Sequence, residues 1–229
     1  GVTMENSKYI GVLTYYSDVL VRDATVRNNG HGLYLYRNNK VTVDRTRLYD
    51  NSGWAVLKYG SDLSMRNSVV TRNNVGMYLY GYEDTDSSNV WNTTIADNAS
   101  HGAYQANRGT GSLVNNIIAS TKGSGYGLYT QAKINHSHNL VYGFNRNFVD
   151  TSPSDDDVQA DPKFFDRANG NYTLNGFSPA VNSGVKMTGK VDADIIGYQR
   201  PAFGRWELGA YEYTKKTSQV RVTSWNEER

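Results

Sequence analysis

An all-β solenoid wound as a parallel β-helix is the fold this sequence predicts, and three observations predict it. Six segments align on one another, beginning at Gly11, Gly32, Ala55, Gly76, Gly102 and Gly127, with starts 21, 23, 21, 26 and 25 residues apart. A self-similar period in this range marks a stack of repeats, each burying its apolar face only against its neighbours. Each repeat then holds two further short runs of alternating apolar residues, which is strand periodicity, with no room left for a helix. Finally, Asn recurs at the turns: Asn29, Asn51, Asn73 and Asn98. An amide both donates and accepts, so equal residues bond to one another along a stack.

The elements follow in order within each repeat. The first strand reads Gly32-Leu33-Tyr34-Leu35-Tyr36 or Gly76-Met77-Tyr78-Leu79-Tyr80. The second reads Val19-Leu20-Val21, Val41-Thr42-Val43, Leu63-Ser64-Met65, Asn89-Val90-Trp91, Leu113-Val114-Asn115 and Ile134-Asn135-His136, followed by Asp23, Arg45, Asn67, Asn92, Asn116 or His138. The third is centred on Val26, Leu48, Val70, Ile95, Ala119 or Val141. Three short strands per turn, joined by Asn, Gly and Asp, describe a parallel β-helix. Residues 1–149 form the coils. The acidic, turn-rich stretch after Asp150 is expected to leave the helix, cap its C-terminal end and, up to residue 213, pack on the end or the side, since bare strand edges need cover. Residues 214–229 are a polar tail in which 220–225 suits an added strand.

The repeats, best at Leu63–Asn73 and Val90–Asn98, resemble the right-handed parallel β-helix family that includes pectate-lyase-like proteins. The resemblance implies a right-handed coil of about six or more turns. A second resemblance covers 139–213. Asp161-Pro162-Lys163-Phe164, Gly170-Asn171-Tyr172-Thr173-Leu174, Ser178-Pro179-Ala180-Val181-Asn182-Ser183-Gly184 and Gly209-Ala210-Tyr211-Glu212 look like the C-terminal segment of bacterial secreted proteins called choice-of-anchor Q. That family mixes enzymes with non-catalytic surface proteins.

Composition sets bounds. The 229 residues suit one domain or a trimmed solenoid, and a net charge of +2 predicts no strong field for nucleic acid or membrane. No cysteine is present, which excludes disulfides and thiol catalysis. No apolar run approaches the roughly 20 residues of a membrane span. Eighteen tyrosines and 22 glycines, with 20% charged residues, fit a secreted or cell-surface monomer. The chain starts inside a repeat-like strand and shows no signal peptide, so a mature or trimmed fragment is expected.

Side-chain alternation gives the candidate site. Residues one and three places beyond the repeat Gly point inward, leaving two outward rows: Leu13, Tyr34, Leu57, Tyr78, Tyr104, Tyr129, and Tyr15, Tyr36, Tyr59, Tyr80, Ala106, Gln131. Strands lie about 4.8 Å apart, so each row is a continuous aromatic strip, suited to sugars because Tyr offers an apolar face and a polar tip. Sheet stabilisation by stacking, or cover by the C-terminal segment, is the competing reading. Lys58 interrupts an inward row between Leu35 and Leu79. Inward, it is costly unless paired; outward, it would serve as a base or carboxylate clamp among tyrosines. The fourth repeat carries a longer connection, Gly81 to Ser87, whose Glu83, Asp84 and Asp86 suit Ca²⁺ or a general acid and base; a solvated charged loop is the plainer reading. Arg37, Lys40, Asp62 and Arg108 are expected to flank it. His31 and His101 are too far apart to share a ligand; His136 and His138 share a strand face as a metal pair would, but no third ligand is evident and histidines stacked at turns are the plainer reading.

Two functions result. Resemblance to pectate-lyase-like proteins implies a polysaccharide lyase acting on uronic-acid polymers. Lys58 or Arg108 would be the base, Glu83, Asp84 and Asp86 would hold Ca²⁺, and Tyr34, Tyr36, Tyr59, Tyr78, Tyr80, Tyr104, Arg37 and Lys40 would bind substrate. A hydrolase would instead need facing carboxylates, such as Asp62 with Glu83 or Asp84. The alternative is a non-catalytic glycan-binding or adhesive module, favoured by the lack of a recognisable catalytic set.

Overall fold

The computed structural model describes residues 1–202 and 204–214. Three parallel sheets wind around one core, each coil giving one strand to each sheet. The first sheet contains Ile10–Tyr15, His31–Tyr36, Trp54–Tyr59, Val75–Gly81, Ala103–Asn107, Tyr126–Thr130 and Arg146–Val149. The second runs from Asp18–Arg22 through Lys40–Asp44, Leu63–Arg66, Ser87–Trp91 and Thr110–Val114 to Lys133–Ser137. The third runs from Val2–Glu5 to Leu140–Tyr142.

Register in the first sheet follows the repeat. Val12 pairs Leu33, then Val56, Met77, Ala103 and Leu128 in turn. These residues, Val12 excepted, are fully buried and stack in one column of the core. The small residue heading each strand has a packing reason. A Cβ at Gly76 would collide with the carbonyl oxygen of Gly102 on the next coil.

Two kinds of turn bend the chain. Asp23, Arg45, Asn67, Asn92, Asn115 and His138 each make a single-residue corner from the second to the third sheet, with φ between 44° and 60°. Asn and Asp tolerate this left-handed region best. Here the structure corrects the fifth repeat by one residue. Asn115, not Asn116, is the corner, and Ile118, not Ala119, pairs Ile95. Likewise Val90 and Leu113 stack beneath Met65, so Trp91 and Val114 point outward. The adjacent Asn115-Asn116 offers two equal turn candidates, and only register decides between them.

At the return from the third to the first sheet, Asn29, Asn51, Asn73 and Asn98 form the expected ladder. Each Nδ2 donates to the next Oδ1, at 3.1, 2.9 and 3.0 Å. A second ladder, Asn116 to Asn139 to Asp157, runs to the C-terminal end at 2.9 and 3.2 Å. There His136 takes the core position that Leu113 holds one coil earlier. Its Nδ1 contacts Asp157 at 2.8 Å and its Nε2 contacts the Thr151 hydroxyl at 2.9 Å. Burial pushes the Asp157 carboxyl up, but the His136 ring and the backbone N–H groups of Asn139 and Ser154 outweigh this and hold it below its ordinary value. His138 sits at a corner, 3.8 Å from Asp156, so the two histidines do not form a metal pair.

Residues 164–214 lie along the side of the helix and not over its end. Phe164, Tyr172, Leu174, Ala180, Ile195, Leu208, Ala210 and Tyr211 bury the outer face of the third sheet at Val69, Ala96, Ile117, Ala119 and Leu140. Arg167 forks onto Asp97 at 2.6 and 2.9 Å. Asn92 and Asn115 donate to the carbonyls of Glu207 and Val185. Buried Arg200 is held by Glu212 and by the Gly209 carbonyl. The same segment reaches the second sheet, where Met187, Val191 and Trp206 pack on Trp91 and Val114, whereas Leu20 on that sheet is 60% exposed. The strand expected at 220–225 falls outside the described residues.

Candidate functional site

The outer face of the first sheet is the site the sequence anticipated. Tyr15, Tyr36, Tyr59 and Tyr80 pair in register, as do Tyr78, Tyr104 and Tyr129. Tyr36 and Tyr59 stack at 5.4 Å and 3° between planes, and Tyr59 and Tyr80 at 4.7 Å and 3°. Tyr104 and Tyr129 stack at 4.2 Å and 5°. Between the two rows Tyr34 meets Tyr36 edge-on, and Tyr78 meets Tyr104 edge-on within its own row. Strand spacing therefore commits most ring faces to one another. What the sheet offers to solvent is a ridge of ring edges and hydroxyls. The hydroxyls of Tyr36, Tyr59 and Tyr80 have no hydrogen-bond partner among the described residues. Desolvation and neighbouring phenols raise the Tyr34, Tyr59 and Tyr78 hydroxyls above their ordinary value, so they remain neutral donors and acceptors at physiological pH. Tyr129 is pushed to about 12. The second row ends at Ala106, which is buried.

The flank is built by the long connection of the fourth coil. Tyr82, 40% exposed, lies under the Arg37 guanidinium at 4.1 Å. Tyr82 also leans on Tyr59 at 5.8 Å. Asp86 turns back on its own loop, accepting the backbone N–H groups of Tyr82 and Glu83 at 2.6 and 2.8 Å. Asp62 accepts the N–H and hydroxyl of Ser87. Asp84 is exposed and reaches Arg108 at 4.0 Å, while Glu83 faces solvent. The three acidic residues are thus divided among different tasks. Among the described residues no three His, Asp or Glu side chains converge as a metal site.

Two of the expected site residues, Lys58 and Lys40, stand away from the ridge. Lys58 is inward, fully buried between Leu35 and Leu79, and donates to the buried Ser88 hydroxyl at 2.8 Å. Burial lowers its ammonium to about 8, against the pull of Asp86 and Asp62. The sheet itself stands between Lys58 and anything lying on the tyrosine ridge, so it is not placed to take a proton from a polymer there. Lys40 belongs to the outer face of the second sheet, around the corner from the tyrosines. Arg108 keeps an exposed guanidinium beside the ridge. His31 and His101 serve the coils. Each Nδ1 accepts a backbone N–H, from Trp54 and Tyr126, each ring stacks on that neighbour, and desolvation lowers both below their ordinary value. The Trp54 and Tyr126 pairings were missed in the sequence. The signal was the recurrence of His before Gly in two coils, each followed one coil later by an aromatic residue.

Residues 10–161 match the model of the family described as "Right handed beta helix region", and the chain belongs to that family. No curated protein matches it. Among solved structures, the crystal structure of pectate lyase Pel9A is similar, with a TM-score of 0.60 and 13% identity over 93% of this chain and 70% of that one. At that identity the likeness is one of fold.

Proposed function

We propose that the protein is an extracellular glycan-binding β-helix module whose tyrosine ridge contacts a polysaccharide. The observation that carries this reading is the in-register row Tyr36, Tyr59 and Tyr80 on the outer face of the first sheet, with hydroxyls that find no hydrogen-bond partner among the described residues. Ring edges supply apolar contact to sugar C–H groups and hydroxyls supply hydrogen bonds, the mixture that amphipathic sugars match. Because the rungs are spaced by the strands, a chain lying along the helix axis meets equivalent groups repeatedly. Arg37 on Tyr82 adds a cation at the edge, suited to uronic-acid carboxylates. The fold shared with a pectate lyase supports a carbohydrate-directed protein, and the motifs in which residues 139–213 resemble choice-of-anchor Q proteins would imply secretion.

Lyase chemistry is the second reading, now resting on Arg108, whose exposed guanidinium adjoins the ridge. One experiment separates the two. The protein is run through native gels containing polygalacturonate, alginate, xylan or β-glucan, with Ca²⁺ at about 1 mM or with EDTA. The same mixtures are followed for ultraviolet absorbance of unsaturated products. Binding predicts retardation by at least one polymer, lost in Tyr59→Ala and Tyr80→Ala, with flat absorbance and no effect of EDTA. Rising absorbance abolished by Arg108→Ala establishes the lyase instead. Retardation that needs Ca²⁺ assigns the acidic loop a metal role. No retardation by any polymer ends the carbohydrate reading.

A further inference from the structure

We propose a second polysaccharide contact, distinct from the tyrosine ridge: a groove on the outer face of the second sheet that takes the carboxylate or sulfate groups of an acidic glycan. Strand register assembles it from three coils. Asp18 pairs with Lys40, Leu20 with Thr42 and then Ser64, and Arg22 with Asp44 and then Arg66. All of these but the buried Asp44 line a shallow depression of about 560 Å³.

Charge is unevenly matched there. Asp44 is buried, and three guanidiniums crowd it: Arg22 at 3.4 Å, Arg45 at 3.5 Å and Arg66 at 3.3 Å. Arg45 has a carboxylate of its own, a fork onto Asp23 at 2.7 and 2.9 Å. Arg22 and Arg66 therefore share one carboxylate, at distances beyond the 2.7–2.9 Å or so of a well-made charge-assisted bond. Arg66 also donates to the Lys190 carbonyl at 2.9 Å. Among the described residues Arg22 makes no hydrogen bond beyond its 3.4 Å approach to Asp44, which leaves its planar fork able to turn to a bidentate oxyanion. Lys40 stands on the same face, with no salt-bridge partner among the described residues. The Thr42 and Ser64 hydroxyls likewise have no hydrogen-bond partner among the described residues, and Leu20, 60% exposed, gives an apolar floor for a sugar ring. A net charge of +2 over the whole chain and a groove only about 10 Å across three strands suit a few glycan oxyanions and not a nucleic-acid backbone.

The test uses the full chain against immobilised polygalacturonate, dextran sulfate and neutral dextran. Arg22→Gln, Lys40→Gln and their combination are compared with Tyr59→Ala, after unchanged melting temperatures establish intact folding. The proposal predicts that the double variant loses about tenfold in affinity for an anionic polymer, with the salt dependence shallower by about one charge per lysine or arginine removed. Which anionic polymer responds tells carboxylate from sulfate. Wild-type affinity and salt dependence in the double variant overturn it, as does absence of binding to both anionic polymers. Binding of any polymer that only Tyr59→Ala removes leaves the ridge reading standing and sinks this one.

Discussion

Replacing Lys58 with Met should make the protein more stable, because a solenoid core holding an ammonium group works against itself. In the fold Lys58 titrates near 8 instead of the free value of 10.5. At about 1.4 kcal/mol per tenfold, the buried charge costs roughly 3 kcal/mol at neutral pH. Met reproduces the unbranched stem as far as Cε, one atom short of the ammonium, lies between Leu35 and Leu79, and forfeits the bond to Ser88. That loss, with the stranded hydroxyl, offsets about 1–2 kcal/mol. The net gain of about 1–2 kcal/mol corresponds to a rise of roughly 2–8 °C in Tm for a chain of this size. The pH dependence carries the sign. Between 8 and 10.5 the unfolded chain binds more protons at Lys58 than the folded one, so wild-type stability rises with pH through that window. The variant lacks this slope, and its advantage should shrink between pH 7 and pH 9.5. Tyrosine ionisation nearer 10 is common to both proteins and cancels in the difference. Differential scanning calorimetry at pH 7, 8.5 and 9.5, with circular dichroism to check that the coils melt together, measures it. A variant that melts below the wild type at pH 7, or an advantage constant with pH, refutes the account of Lys58 as an unfavourable buried charge.

Other perturbations give distinct outcomes. Asn73→Ala removes an amide bonded to Asn98, Leu48 and Thr71 and accepting from Asn51, and should cost about 2–4 kcal/mol in urea denaturation; an unchanged midpoint would deny the ladder an energetic role. Asp157→Asn should lower Tm at pH 7 and flatten the acid limb. A carboxyl held below its free value of 3.8 contributes stability above that pH and loses it as pH falls through the folded value, so an acid limb identical to wild type contradicts this. Arg200→Met leaves Glu212 buried without its guanidinium, a loss of about 3–5 kcal/mol. Limited proteolysis should then release the side-packed segment before the coils, and equal protease resistance would count against it.

Much of the fold was legible because one residue column repeats with the coil. Gly32, Ala55 and Gly76 set the register, and alternation then placed Leu33 inside and Tyr34 outside without knowledge of anything distant. The same logic placed Lys58 inward. Its partner was not legible, since Ser88 lies 30 residues away, beyond the insertion at 81–87. The tyrosine rows were legible as rows, but the planar stacking that turns their faces on one another is set by strand spacing and rotamer. Asp86 looked like a ligand because its return to the Tyr82 and Glu83 N–H groups depends on loop geometry. For the side-packed segment a signal was present and unread. Ile117-Ile118-Ala119 is apolar at consecutive positions, as a strand covered on both faces must be. The core position of His136 and its bond to Asp157 were not legible, because alternation says nothing of where the coils end.

Hydroxyl-radical footprinting with a saturating oligosaccharide, chosen as the best-retained polymer of the gel series, tests the central claim most directly. Protection concentrated at Tyr36, Tyr59, Tyr80 and Tyr82, with Phe177, 84% exposed on the C-terminal segment, unchanged as the internal control, is the predicted result. Bound oligosaccharide that leaves those four tyrosines as reactive as in the free protein would contradict it.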